Sequence, residues 1–188
     1  MNDVKEVTMK RLLVLTTIAL MSISGFVFAA DNGSHNVVLQ VLDVCKINLN
    51  DASSITLTTI APVNGGDPVT GQTDSTKLLQ YTSLVPSGQH RKITANWGAA
   101  DTAPAGTALL LQVDSVPANC GNNVAPAGTP ITLSNVAQDL IDTIGSCATG
   151  VGANGAGLTY TFSITDVNNL VVGDNQTVTV TFTLTDAS

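Results

Sequence analysis

The sequence predicts an all-β fold, a β-sandwich or β-barrel with one short helix, behind a cleaved signal peptide. Three observations carry this. Thr177 to Leu184 reads T-V-T-V-T-F-T-L, with Val178, Val180, Phe182 and Leu184 on one side and four threonines on the other. Such strict alternation is the period-2 signature of a half-buried strand, and β-branched threonine suits the solvated face. The composition is dominated by Thr, Gly, Asn, Ala and Val, which disfavours helices and suits strands and turns. Finally, about eight short strand-like runs alternate with turn-rich loops along the chain.

The chain opens with a basic cluster, Met9-Lys10-Arg11, then an apolar run from Leu12 to Phe28, then Val27-Phe28-Ala29. Small residues at −3 and −1 place cleavage after Ala29, so that residues 1–29 form a signal peptide. A membrane anchor is the competing reading, but the run is only marginally long enough to span a bilayer. Residues 30–188 then make one exported domain, large enough to bury a substantial core. Four basic residues (Lys46, Lys77, Arg91, Lys92) face twelve aspartates and no glutamate, a net charge of −8. That balance argues against nucleic acid and anionic lipid as partners; no membrane insertion of the mature chain is expected either.

Residues 30–36 read as a flexible N-terminus. Val37 to Leu49 follows as a strand apolar on both faces, expected to be covered on both sides. Ile55–Thr58 is a short strand and 62–76 a loop. Leu78–Val85 and Arg91–Trp97 flank Pro86-Ser87-Gly88-Gln89 and predict a hairpin carrying Tyr81 and Trp97 as packed aromatics. After a loop at 98–106, Thr107–Val113 is a leucine-rich strand. Residues 117–130 are Gly-, Asn- and Pro-rich. A helix is predicted next, capped by Ser134, with Val136, Leu140, Ile141 and Ile144 along one side and Gly145 at its end. Leu158–Ile164 alternates again, and a loop through Gly173 leads into the final strand.

Three cysteines follow the leader: Cys45, Cys120 and Cys147. Export favours pairing of an even subset, and of three possible pairs Cys120–Cys147 is preferred, because both lie in irregular Gly-rich segments. Closing that loop would remove roughly 3–4 kcal/mol of unfolded-state entropy. Cys45, inside an apolar run, reads as a buried free thiol or as an intermolecular link.

No motif for catalysis or cofactor binding stands above its background. Gly150-Val151-Gly152-Ala153-Asn154-Gly155 fits G-x-G-x-x-G, yet a dinucleotide site needs a strand before the glycines and a helix after them. Here the predicted order is reversed. His35 and His90 are the only histidines and lack the companions that zinc requires. Asp139 and Asp142 read as solubilising charges rather than a glycosidase pair, and the Asp166–Asp174 segment departs from a calcium-loop spacing. The expectation is no enzyme, no metal and no cofactor.

Val37-Val38-Leu39-Gln40-Val41-Leu42-Asp43-Val44-Cys45-Lys46-Ile47 resembles the first strand of bacterial chaperone–usher-type pilus subunits, including the spore-coat-U-like group. Gly173 followed by Val178, Val180, Phe182 and Leu184 resembles their glycine and alternating C-terminal strand. The similarity covers the two ends of the domain. It departs from the family where the first-strand cysteine has no partner between Ile55 and Leu78, and where the penultimate tyrosine is absent. The resemblance implies an immunoglobulin-like β-sandwich, a homo-oligomer or filament, and a periplasmic chaperone as partner. It further implies strand complementation, with Val37, Leu39 and Val41 as donor residues and Val178, Val180, Phe182 and Leu184 walling the acceptor groove. The last strand carries no lysine, proline or inward charge, so it would invite a partner if it lies at a sheet edge; a central position is the alternative. A monomeric secreted module binding glycan or protein through loops 62–76 and 98–106 is the competing function.

Overall fold

A computed structural model describes residues 33–187; the signal-peptide expectation lies outside the described residues. Two units are distinguished, 1–40 and 41–188. In the first, the described residues 33–40 form no strand, and Val37, Val38 and Leu39 are exposed.

The second unit is all-β. Its strands are β1 (Val44–Leu49), β2 (Thr59–Ile60), β3 (Thr70–Gly71), β4 (Thr73–Leu84), β5 (Arg91–Trp97) and β6 (Thr107–Ser115). They continue with β7 (Asn122–Asn123), β8 (Ile131–Thr132), β9 (Gln138–Ile144), β10 (Cys147–Ala148), β11 (Ala156–Ile164) and β12 (Val180–Asp186). One sheet has the order β1-β4-β11-β6-β8, with β10 also paired to β4; a second has the order β12-β5-β9-β7. The short β2–β3 pair stands apart. All pairings are antiparallel.

Alternation does what it predicts in the central strands. Leu79, Tyr81 and Ser83 of β4, Ile93, Ala95 and Trp97 of β5, and Ala156, Leu158 and Tyr160 of β11 all point into one shared core. Burying each large aliphatic side chain contributes about 1.5–3 kcal/mol, and the two sheets hold together through this common interior.

Five expectations are corrected. The helix over 134–144 is strand β9. Two register shifts against β5 each insert an extra residue into β9, and Thr143 takes a positive φ of 54°. A bulge swaps the face that the alternation points to. Leu140, Ile141 and Ile144 therefore all turn inward, a spacing that mimics a helical face. Ser134, the expected cap, instead accepts the Val136 N–H in a local turn at 3.2 Å.

The hairpin between β4 and β5 is a crossover. The turn forms, with Gln89 N–H donating to Pro86 O at 3.0 Å and Gly88 at φ 79°, but the two strands lie in different sheets. Tyr81 and Trp97 thus reach the core from opposite layers.

The first strand starts at Val44, not Val37, and Val41 and Leu42 are exposed rather than covered. Between β1 and β2, Ile55 and Leu57 alternate inward without joining a ladder. The predicted strand over Ile55–Thr58 is displaced to Thr59–Ile60, and part of the 62–76 loop is strand, since β3 lies within it and β4 begins at Thr73.

Candidate functional site

The two larger sheets end at β1 and β8 in one and at β12 and β7 in the other, with the two-residue β10 branching off β4. β7 and β8 are two-residue stubs, which is how soluble β-proteins blunt an edge. β1 and β12 are six and seven residues long, and they approach each other along one flank. The final strand is an edge strand. This is the candidate site.

Register shows which side chains line it. Cys45 pairs with Ser83, Ile47 with Tyr81 and Leu49 with Leu79, so all three face the interior with their partners. Val180, Phe182 and Leu184 pair with Trp97, Ala95 and Ile93 and face it from the other sheet. Yet Cys45 is exposed, and Ile47, Leu49, Val178, Val180 and Phe182 are half-buried. Their ladder partners Ser83, Leu79, Ile93 and Ala95 are sealed. The core is closed at its centre and open along the β1–β12 flank. Cys45 corrects the expectation of a buried thiol; its Sγ–H lies 3.5 Å from Leu184 O, across the flank.

One end of the flank is shut by Arg91, which is only 4% exposed although arginine rarely sits in a core. Its guanidinium donates to Val44 O at 2.5 Å, Asp43 Oδ1 at 2.5 Å, Leu84 O at 3.3 Å and Asp186 Oδ1 at 3.1 Å. The planar fork joins the start of β1, the end of β4 and the end of β12 at one point. The Asp43 carboxylate, with a smaller effect from Asp186, raises the guanidinium pKa further.

Beyond the other end of β1 sits a second inward cation, Lys77, 5% exposed. Its Nζ donates to Asp51 Oδ2 at 2.9 Å and to Ser53 Oγ at 3.1 Å. The Ser53 hydroxyl donates to the same carboxylate at 2.5 Å and its N–H at 2.8 Å. Led by the Ser53 hydroxyl, then by Lys77, these donors hold Asp51 well below the usual carboxylate range. Both ends of the first strand are thus pinned by buried cations to acids that flank it in sequence.

Along the last strand Leu184, next to Arg91, is buried, and Phe182, Val180 and the preceding Val178 are half-buried. Asp101 ties the approach to β12 to the end of β5, accepting the N–H groups of Gly98 at 3.1 Å and Thr179 at 2.8 Å.

The Cys120–Cys147 disulfide forms as expected, with the Cα atoms 5.5 Å apart. Cys147 lies on β10 and Cys120 two residues before β7, so the bridge ties the two sheets together away from the open flank. Cys120 is reached through left-handed backbone at Asn119 and Gly121, and a Cβ at Gly121 would come within 2.7 Å of Asp142 O. The Tyr81 hydroxyl donates to Cys120 O at 2.7 Å, and burial raises the phenol pKa. Gly150, Gly152 and Gly155 occupy the loop between β10 and β11, with no helix after them.

Of the predicted residues, the four of the acceptor groove share the flank, while Val37, Leu39 and Val41 are exposed and outside any strand. Sequence reasoning missed Arg91, Lys77 and Cys45 as parts of the site. Only the inward phase of Arg91 with Ile93, Ala95 and Trp97 could have signalled one of them. No helix among the described residues is long and apolar enough to cross a membrane. No protein-family model, curated protein or solved structure matches this chain.

Proposed function

We propose that the chain is a secreted structural subunit of a bacterial surface filament or fimbria-like assembly, polymerising by β-strand complementation. The observation that carries this is the exposed, inward-facing Cys45 on the edge strand β1, across from Leu184 of the edge strand β12, whose Val180 and Phe182 are only half-buried. A further strand laid along the free edge of β12 would cover these positions. We read the two sheets as an immunoglobulin-like β-sandwich that lacks that strand.

The occupant is the segment around Val37, Leu39 and Val41 of a second copy. It alternates with the period of the flank and carries no charge between Val37 and Leu42. It is 67–90% exposed at its large apolar residues, except Leu42 at 65%, an arrangement a soluble chain rarely keeps without a partner. Backbone ladder bonds to β12 would give affinity and the alternate side chains the fit. Export to the cell surface accords with the disulfide, and a chaperone would shield the flank before assembly.

The test is protection of Cys45. A synthetic peptide of residues 33–42, added to the protein, slows alkylation of Cys45 at least tenfold if it fills the flank. Unchanged alkylation at saturating peptide overturns the proposal.

A second reading, a monomeric module binding glycan or protein, is favoured by one feature. The loops at 61–69 and 98–106 lead to the same end of the sheets, where β4 and β6 begin. A chain that stays monomeric at high concentration and binds a glycan there would establish it.

A further inference from the structure

The main-chain groups along β12 have a fixed parity. Ala187 N–H donates to His90 O at 2.9 Å, on the β5 side, while Leu184 O points the other way, to Cys45 Sγ at 3.5 Å. In an antiparallel ladder successive residues alternate the side to which their N–H and C=O point. Val180, Phe182 and Leu184 therefore hold the groups on the free edge, and their side chains are the inward ones. A residue of an added antiparallel strand that exchanges both bonds with one of these sits directly across from it, with its side chain on the same face.

Which residue meets which is decided by cover. Val178, Val180 and Phe182 are half-buried, whereas Leu184 is buried and its carbonyl is already met by the Cys45 thiol. The segment that the proposed function makes the donor offers three alternating apolar residues, Val37, Leu39 and Val41, with polar His35 before them. Laid antiparallel to β12, the three fall on Phe182, Val180 and Val178, and His35 falls on Leu184. Sliding the segment by two residues one way puts Val37 on the buried Leu184 and turns Asp43 to Val178, although Arg91 holds Asp43 in its own body. Sliding it two residues the other way puts His35 on Phe182. A slip of one residue turns Gln40 inward.

We infer that a second copy's segment is held in this one register, with Val37 across from Phe182, Leu39 from Val180, Val41 from Val178, and His35 against Cys45. Cys45 is the residue that marks the end of the apolar contact. Its thiol occupies Leu184 O, so the main-chain bonds of the incoming strand fall on Phe182 and Val180, and the residue reaching Leu184 meets the thiol. The change from polar to apolar between Asn36 and Val37 then coincides with the change from buried Leu184 to half-buried Phe182.

This inference rests on the strand-complementation reading, and the native Cys45 reports on both. Five peptides of residues 33–42 carry one substitution each: Gly33→Cys, His35→Cys, Val37→Cys, Leu39→Cys or Val41→Cys. Each is supplied as a mixed disulfide with thionitrobenzoate, so that attack by Cys45 Sγ joins the peptide and releases thionitrobenzoate. Coupling to the full chain is followed by absorbance and confirmed by mass spectrometry, at saturating peptide. His35→Cys should couple at least tenfold faster than the other four. Fastest coupling at any other position, or equal rates at all five, overturns the register but keeps strand complementation if the unsubstituted peptide still protects Cys45 from alkylation. No protection by the unsubstituted peptide overturns both.

Discussion

The Cys45 thiol lies 3.5 Å from the carbonyl oxygen of Leu184, joining the first strand to the last although no ladder pairs them. Ser83, opposite Cys45 in β4, is fully buried, while Cys45 faces the same way and is exposed. The contrast locates the edge of the core to one strand's width. The cysteine should therefore react readily with a small alkylating reagent in the folded monomer, whereas Cys120 and Cys147 should not. Mass spectrometry of the alkylated native protein checks this. A thiol that reacts only after unfolding would mean the flank is covered.

Arg91 joins three strand ends through five acceptors, two of them main-chain carbonyls. Lysine, with a point charge, cannot reach them all. Arg91→Lys should lower stability by about 2 kcal/mol and Arg91→Ala by about 3 kcal/mol, read by urea denaturation. The same variants should raise hydrogen exchange first in β1 and in the last turn of β12.

Lys77 allows a sharper contrast. Asp51→Ala leaves a buried ammonium without its counter-charge and should lower the urea midpoint. Lys77→Met removes the charge, fills similar volume among Leu79 and its neighbours, and should be neutral within about 1 kcal/mol. Equal losses in the two variants would contradict the burial argument.

Acid should act through the same groups. Asp51 and Asp74 both have pKa values below the ordinary carboxylate range, Asp74 through the Thr76 hydroxyl and N–H. A carboxylate depressed on folding contributes its stability above its unfolded pKa, about 3.9, and loses it as pH falls through the folded value. Stability should thus be flat between pH 5 and pH 7 in these two terms, and fall below about pH 4. Asp51→Asn should flatten that decline, as thermal melts across pH will show.

Thr143 tests the bulge. It is β-branched in left-handed backbone, which costs on the order of 1 kcal/mol or more, and asparagine tolerates that region better. Thr143→Asn should raise stability by about 0.5–1 kcal/mol. A loss would mean that the Thr143 hydroxyl bond to Asp142, at 3.0 Å, outweighs the strain.

Where one face of a strand meets the core without interruption, the chain could be read directly. Arg91–Trp97 has the bounds its alternation predicts, and Leu158–Ile164 and the terminal Thr-rich run fall on β11 and β12 within three residues. The Cys120–Cys147 bridge was likewise legible from its glycine-rich surroundings. Reading failed where the backbone broke its own rule. The bulges that bring Leu140, Ile141 and Ile144 to one side produced a helical pattern, and a Pro-Gly turn cannot say which sheet the next strand joins. The pinning cations were invisible for another reason. Arg91 finds Asp43 48 residues away and Asp186 95 residues away, and Lys77 finds Asp51 across 26. Such pairings are set by topology, not by local spacing.

The most direct measurement is the solution mass of the chain from residue 30, by light scattering, beside a version lacking residues 30–41. The truncation stops short of Asp43, so the Arg91 anchor is kept. Strand complementation predicts high-mass species that survive mild denaturant in the longer form and a monomer in the shorter one. A monodisperse monomer in both would contradict it and leave the binding module as the better account of the fold.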